Sequence, residues 1–169
     1  MSLQQEIAVW NGKSVEDLEE IYERHGSETG VGVELVLLLK EPALQRGVSW
    51  LLKRYLEEGK GGALSTDDLN RVFESLSDLE EWESKLHLLQ SLPFLTIGKR
   101  NVKRVESFLR GCVESENKFV RAWAYNGFYE LALQHPKYQT EVDQILGHAM
   151  QDEAASVKAR IRNIRKDLK

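Results

Sequence analysis

A recurring helical spacing constrains this chain more than anything else in it. In "VRAWAYNGFYEL", counted from Val120, the apolar or small positions are 0, +4 (Ala124), +7 (Gly127), +8 (Phe128) and +11 (Leu131). In "VKARIRNIRKDL" they are Val157, Ile161, Ile164 and Leu168, at 0, +4, +7 and +11, and both stretches carry a base at +1. Such spacing buries one stripe of an α-helix, which turns once every 3.6 residues or so. Further back, "WESKLHLLQ" supplies Trp82, Leu86 and Leu89, and "VSWLLKRYL" supplies Val48, Leu52, Tyr55 and Leu56. The origins 48, 82, 120 and 157 lie 34, 38 and 37 residues apart. A period of that size with two helices per unit predicts an α-solenoid, whose helix pairs bury their apolar faces against neighbouring pairs.

The rest of the chain reads as helix too. Leu69, Val72, Phe73 and Leu76 form one stripe; Val102, Val105, Leu109, Cys112 and Val113 a second; Val142, Ile145, Leu146, Ala149 and Met150 a third. Cys112 is thus expected in a core, and as the single cysteine it allows neither an internal disulfide nor a cysteine zinc cluster. Ser14 with Asp17, and Ser65 with Asp68, have the spacing of helix N-caps, and Pro42 suits a first turn. Helices are predicted near 14–25, 28–40, 42–58, 66–77, 79–92, 100–115, 117–134, 139–150 and 153–168. "EEGKGGALS", Glu57 to Ser65, reads as a flexible linker because its three glycines are costly to order.

These spacings resemble the HEAT and HEAT-like repeat family, whose second helix commonly begins with an acidic or Asn residue a few positions before Val-Arg, followed by Ala or Leu at the spacing above. Asn117 before Val120-Arg121 and Asp152 before Val157-Lys158 match. Asp78 precedes Trp82-Glu83, where the base is missing, and the unit at Val48-Ser49 lacks the preceding acid. The resemblance implies a single all-α domain, an α-α superhelix of about four helix pairs (28–58, 65–92, 100–134 and 138–168) behind an N-terminal capping segment, 1–27. The four tryptophans are expected between helices, Trp82 in the core and Trp50 and Trp123 toward the opposite flank.

Catalytic signatures are missing from the sequence. "GKGGALS" lacks the length and the basic residue of a phosphate-binding P-loop, and there is no GxSxG elbow. His25, His87, His135 and His148 form no HxxxH or HExxH pair, so no metal and no cofactor is expected; His135 and His148, near helix ends, are expected to face solvent. Neighbouring carboxylates such as Glu80-Glu81 point about 100° apart on a helix and suit solvation better than acid-base work. The reading leans to a non-enzyme.

The polar start "MSLQQE" does not resemble a signal peptide, and the apolar run from Val33 is far shorter than the roughly 20 residues of a membrane span. A cytoplasmic, soluble protein without membrane contact is expected. A net charge of -4 conceals a polarity: residues 1–30 carry -5 and Asp67–Glu83 carry -6, whereas Lys99–Arg121 carry +4 and Lys158–Lys169 carry +5. Such asymmetry can steer a charged partner.

Equivalent positions of stacked second helices align as ladders: Ser49, Glu83, Arg121 and Lys158 at +1, and Lys53, His87, Tyr125 and Arg162 at +5. In the HEAT-like family this layer often lines a concave groove, which makes Lys53, His87, Arg121, Tyr125, Lys158 and Arg162 the candidate contacts for a protein or peptide partner. The structural alternative for Arg121 is pairing with Asn117 or with an acid of the next unit, as the family's arginine often does. A second functional reading is a nucleic-acid binder similar to the HEAT-like alkylpurine DNA glycosylases, with Lys99, Arg100, Lys103, Arg104, Lys158, Arg160, Arg162, Arg165 and Lys166 neutralising phosphates and Trp123 or Tyr125 stacking. A third is head-to-tail self-association of acidic and basic ends.

Overall fold

Helix starts are set locally by side chains that satisfy the free backbone N–H groups of a first turn. Ser14 accepts from Asp17 N at 3.1 Å, and Ser65 forms a reciprocal capping box with Asp68. Ser2 does the same with Gln5, which starts a short helix that the sequence reading missed. In the computed structural model, which describes residues 1–167, ten α-helices and six short 3-10 turns follow, with no strand among the described residues. The protein is all-α.

The chain divides into two compact units, Met1–Leu95 and Thr96–Lys169, between the second and third of the expected helix pairs. The first holds α1 (Leu3–Val9), α2 (Val15–His25), α3 (Val31–Leu38), α4 (Gln45–Glu57), α5 (Thr66–Ser75) and α6 (Trp82–Ser91). There α1 packs on α2, α2 on α4, α3 on both α4 and α5, and α4 along α6. The second holds α7 (Val102–Cys112), α8 (Lys118–Gln134), α9 (Gln139–Asp152) and α10 (Ala155–Asp167). In it α8 is central, packed on α7, α9 and α10.

The expected stripes are buried in three of the four helices that carry them. Val48, Leu52, Tyr55 and Leu56 are buried on α4, Val120, Ala124 and Phe128 on α8, and Val157, Ile161 and Ile164 on α10; Leu168 lies outside the described residues. Cys112 is in the core. On α6 the register needs correction. Trp82, expected in the core, is 43% exposed as the first residue of its helix, and the buried positions are Ser84, Leu88, Ser91 and Leu92 together with Leu89. The aromatic ring drew the origin two residues too early, because a small serine is a weaker hydrophobic signal than a tryptophan.

The expected linker is also different. Residues Lys60–Ala63 form a 3-10 turn packed on α3 and α4. Lys60 Nζ reaches Glu58 Oε2 at 2.8 Å, the Tyr22 hydroxyl at 3.2 Å and the Gly26 carbonyl oxygen at 3.0 Å, while the Tyr22 hydroxyl donates to Glu58 at 2.8 Å. Glycine content signals cost, yet here one lysine with three partners anchors the turn. Gly59, at φ +79°, takes the left-handed conformation that ends α4. No described helix is long and apolar enough to cross a membrane.

Candidate binding surface

Many of the residues of the two expected ladders lie where α4 packs on α6 and where α8 packs on α10, although the corrected register of α6 takes Glu83 and His87 off the +1 and +5 positions. In the first unit the Ser49 hydroxyl of α4 sits 3.1 Å from the Arg46 carbonyl oxygen and 2.8 Å from Nδ1 of His87 on α6. Burial pushes the His87 imidazole down to about 3, with Lys53 and Arg46 adding to the effect. His87 is therefore neutral near pH 7 and offers no cation to a partner. The Ser49–His87 pair has the elements of an activated nucleophile, but Ser49 is fully buried, so its oxygen is closed to any substrate. Lys53 is only partly exposed, with its ammonium 5.9 Å from the Trp50 ring centre and 3.9 Å from Glu57.

The second unit has a tighter junction. Arg121 Nε donates to both oxygens of Glu153, at 3.1 and 3.2 Å, and Nη1 donates to the carbonyls of Ser115 and Glu116 at 3.0 and 3.1 Å. The Tyr125 hydroxyl donates to Glu153 Oε1 at 3.2 Å. Burial pushes the Tyr125 phenol up to about 12, helped by the Glu153 charge beside it. Asn117, matched in the sequence only as the Asn before Val120-Arg121, caps α8 by accepting from Phe119 N and Val120 N. Glu153, just before α10, is the residue the sequence reading did not name; its only signal was the expectation that the family's arginine finds an acid of the following unit.

Beyond this junction the surface opens. Lys158 is half-buried and Arg162 exposed, and neither has an ion-pair partner among the described residues. Arg165 and Lys166 are exposed on the same helix. Arg160 lies with its guanidinium 4.3 Å from the Trp123 ring centre, a cation–π contact that covers the indole face proposed for base stacking. Of the six candidate contacts, then, Lys158 and Arg162 share one open face of α10, Arg121 and Tyr125 are committed to Glu153, and Lys53 and His87 belong to the other unit.

The remaining histidines are engaged or isolated. His135 Nε2 is 2.7 Å from the Ile97 carbonyl oxygen, so it is tied to the backbone rather than solvated as expected; His148 is exposed. His25 is buried between Glu6 and Glu28, at 3.3 and 2.9 Å. No group of three or more His, Cys, Asp or Glu side chains among the described residues is placed to hold a metal ion. Comparison of the chain with protein-family models, with curated proteins and with solved structures finds no match.

Proposed function

We propose that this chain is a non-enzymatic HEAT-like repeat module that holds an acidic segment of a protein partner on the open face of α10. Support for the repeat reading comes from the corrected register. With Ser84 in place of Trp82, the buried origins Val48, Ser84, Val120 and Val157 are 36, 36 and 37 residues apart, closer to a constant period than the sequence alone suggested. Direct packing of α4 on α6 and of α8 on α10 is what adjacent second helices of such repeats would do.

One observation carries the binding reading: α10 presents Lys158, Arg162, Arg165 and Lys166 without carboxylate partners among the described residues, whereas Arg121 behind them is neutralised by Glu153. A row of unpaired bases beside a rigid junction favours an acidic partner through long-range attraction. The same helix favours a second reading, nucleic-acid binding, since no described acid interrupts its bases.

The experiment that tests both is capture from host lysate with the purified chain as bait, with and without nuclease and at two salt concentrations, alongside the variant K158E/R162E. Retention of one protein after nuclease, lost in the variant, supports the module. Capture abolished by nuclease moves the assignment to nucleic acid, and capture unaffected by the variant removes the α10 face.

A further inference from the structure

We infer that a cleft at the start of α7 binds the phosphate chain of a small polyphosphorylated ligand. The cleft, of about 430 Å³, is lined by Lys99 from the turn before α7, Lys103 from its first turn, Lys137 from the turn after α8, and by Val102, His135 and Pro136 between them. None of these residues belongs to α10, so the inference is independent of the binding face proposed above.

Three lysines from three elements border the cleft, and no carboxylate is among its lining residues. Lys99 has no ion-pair partner among the described residues. Lys103 lies 3.4 Å from Glu106, but that carboxylate already accepts from the Tyr138 hydroxyl at 2.8 Å and from Arg110 at 3.1 Å, and the Lys103 side chain is 84% exposed. Lys137 rests over the Tyr138 ring, 5.3 Å from its centre. All three can turn to an anion without breaking a strong pair.

The backbone that carries them is fixed in advance. Ile97 N donates to Gln134 Oε1 at 2.7 Å, and the His135 ring, through Nε2, donates to the Ile97 carbonyl oxygen at 2.7 Å. These two bonds join the segment leading into α7 to the end of α8, so ordering the site costs little when a ligand arrives. Lysines act as point-charge partners for phosphate, and the volume falls in the range of small-ligand sites. Three lysines match the charge of a diphosphate or triphosphate group. The lining has no Phe, Tyr or Trp ring on which successive bases could stack, and its single imidazole, His135, is held by the Ile97 carbonyl oxygen, which sets a nucleic-acid strand aside in favour of the phosphate chain itself.

The test uses the full chain, isotope-labelled, titrated with sodium tripolyphosphate at fixed ionic strength, with sodium sulfate as the reference anion. The expected result is a dissociation constant below about 1 mM, tighter than for sulfate, with resonance shifts confined to residues 97–104 and 134–138. The variant K99A/K103A/K137A should lose about tenfold or more in affinity with an unchanged melting temperature. Equal affinity for sulfate, unchanged affinity in the triple variant, shifts centred on α10, or binding of an oligonucleotide where tripolyphosphate fails would each overturn it. Capture that K158E/R162E leaves unchanged, with this binding intact, would remove the α10 reading alone.

Discussion

Arg121 and Glu153 are joined by two charge-assisted hydrogen bonds of 3.1 and 3.2 Å, with 21% and 13% of their side chains exposed, and the Tyr125 hydroxyl closes on the same carboxylate. Because Arg121 also holds two carbonyls of the loop before α8, this one guanidinium fastens that loop to the segment entering α10. Arg121→Ala would leave a largely buried carboxylate short of its cation and is expected to cost about 2–4 kcal/mol. Tyr125→Phe removes one bond and should cost about 1–2 kcal/mol. The double variant R121A/E153A should lose less than the sum of the single variants, a coupling that denaturant unfolding can measure. Additive losses would mean that the pair does not act as a unit. Arg162→Ala, by contrast, should leave the melting temperature in place, separating an open contact from a structural one at neighbouring ladder positions.

The ordinary imidazole value of 6.5 falls to about 3 for His87 in the fold, mainly through burial, so the sign of its pH effect follows directly. Between those values the unfolded chain binds a proton that the native chain refuses, and stability falls as pH falls. From neutral pH to pH 5 the loss from this residue is expected to be about 2 kcal/mol. Glu6, held below the usual carboxylate range by Arg24, and Glu106, held there by the Tyr138 hydroxyl, add their own losses only at lower pH. His87→Asn keeps a polar group toward Ser49 but cannot titrate, so its stability should decline less over the same interval. Parallel curves for the two proteins in urea titrations at pH 7 and pH 5 would exclude a His87 that stays neutral in the fold.

Much of this architecture was legible because periodicity is a property of the whole buried stripe. Val120, Ala124 and Phe128, or Val157 and Ile161, announce their face of the helix whatever they touch. Trp82 and Ser84 show where that logic weakens. Burial of a serine depends on the neighbour that covers it, and exposure of a tryptophan on its place at a helix start; neither is encoded in spacing. The site was legible only by residue type. Arg121 and Arg162 look alike in sequence, yet one meets Glu153, 32 residues away, and the other is exposed with no ion-pair partner among the described residues. The cleft at Lys99, Lys103 and Lys137 was invisible as a unit, since its third lysine comes from another turn.

Close approach of α3 to α4 depends on Gly32. A Cβ placed there would lie 2.6 Å from Cζ of the buried Tyr55 ring, well inside contact distance. Gly32→Ala should therefore destabilise the first unit by about 1–3 kcal/mol through overpacking, despite the better helix propensity of alanine. Exchanging Tyr55 for Leu in that background should recover part of the loss by removing the ring, whereas in the native background it leaves a void and costs stability. If Gly32→Ala instead raises the melting temperature, the two helices are not held at this separation.

Lys60 separates order in a glycine-rich turn from global stability. Its ammonium meets Glu58, the Tyr22 hydroxyl and the Gly26 carbonyl oxygen, but Lys60 and Glu58 each keep about a third of their side chains exposed, at 34% and 31%. Pairs so open to water contribute little to unfolding free energy, so Lys60→Met should shift it by less than about 1 kcal/mol. The local effect should be larger in proportion, because three glycines gain back conformational freedom once the anchor is lost. Amide hydrogen exchange at Gly59 to Leu64 is expected to quicken by roughly tenfold in the variant, while exchange in α4 stays as it was. Unchanged exchange in the turn would assign its order to the Leu64 N–H bond to the Gly61 carbonyl, at 3.0 Å, and to the packing of the turn on α3 and α4 instead.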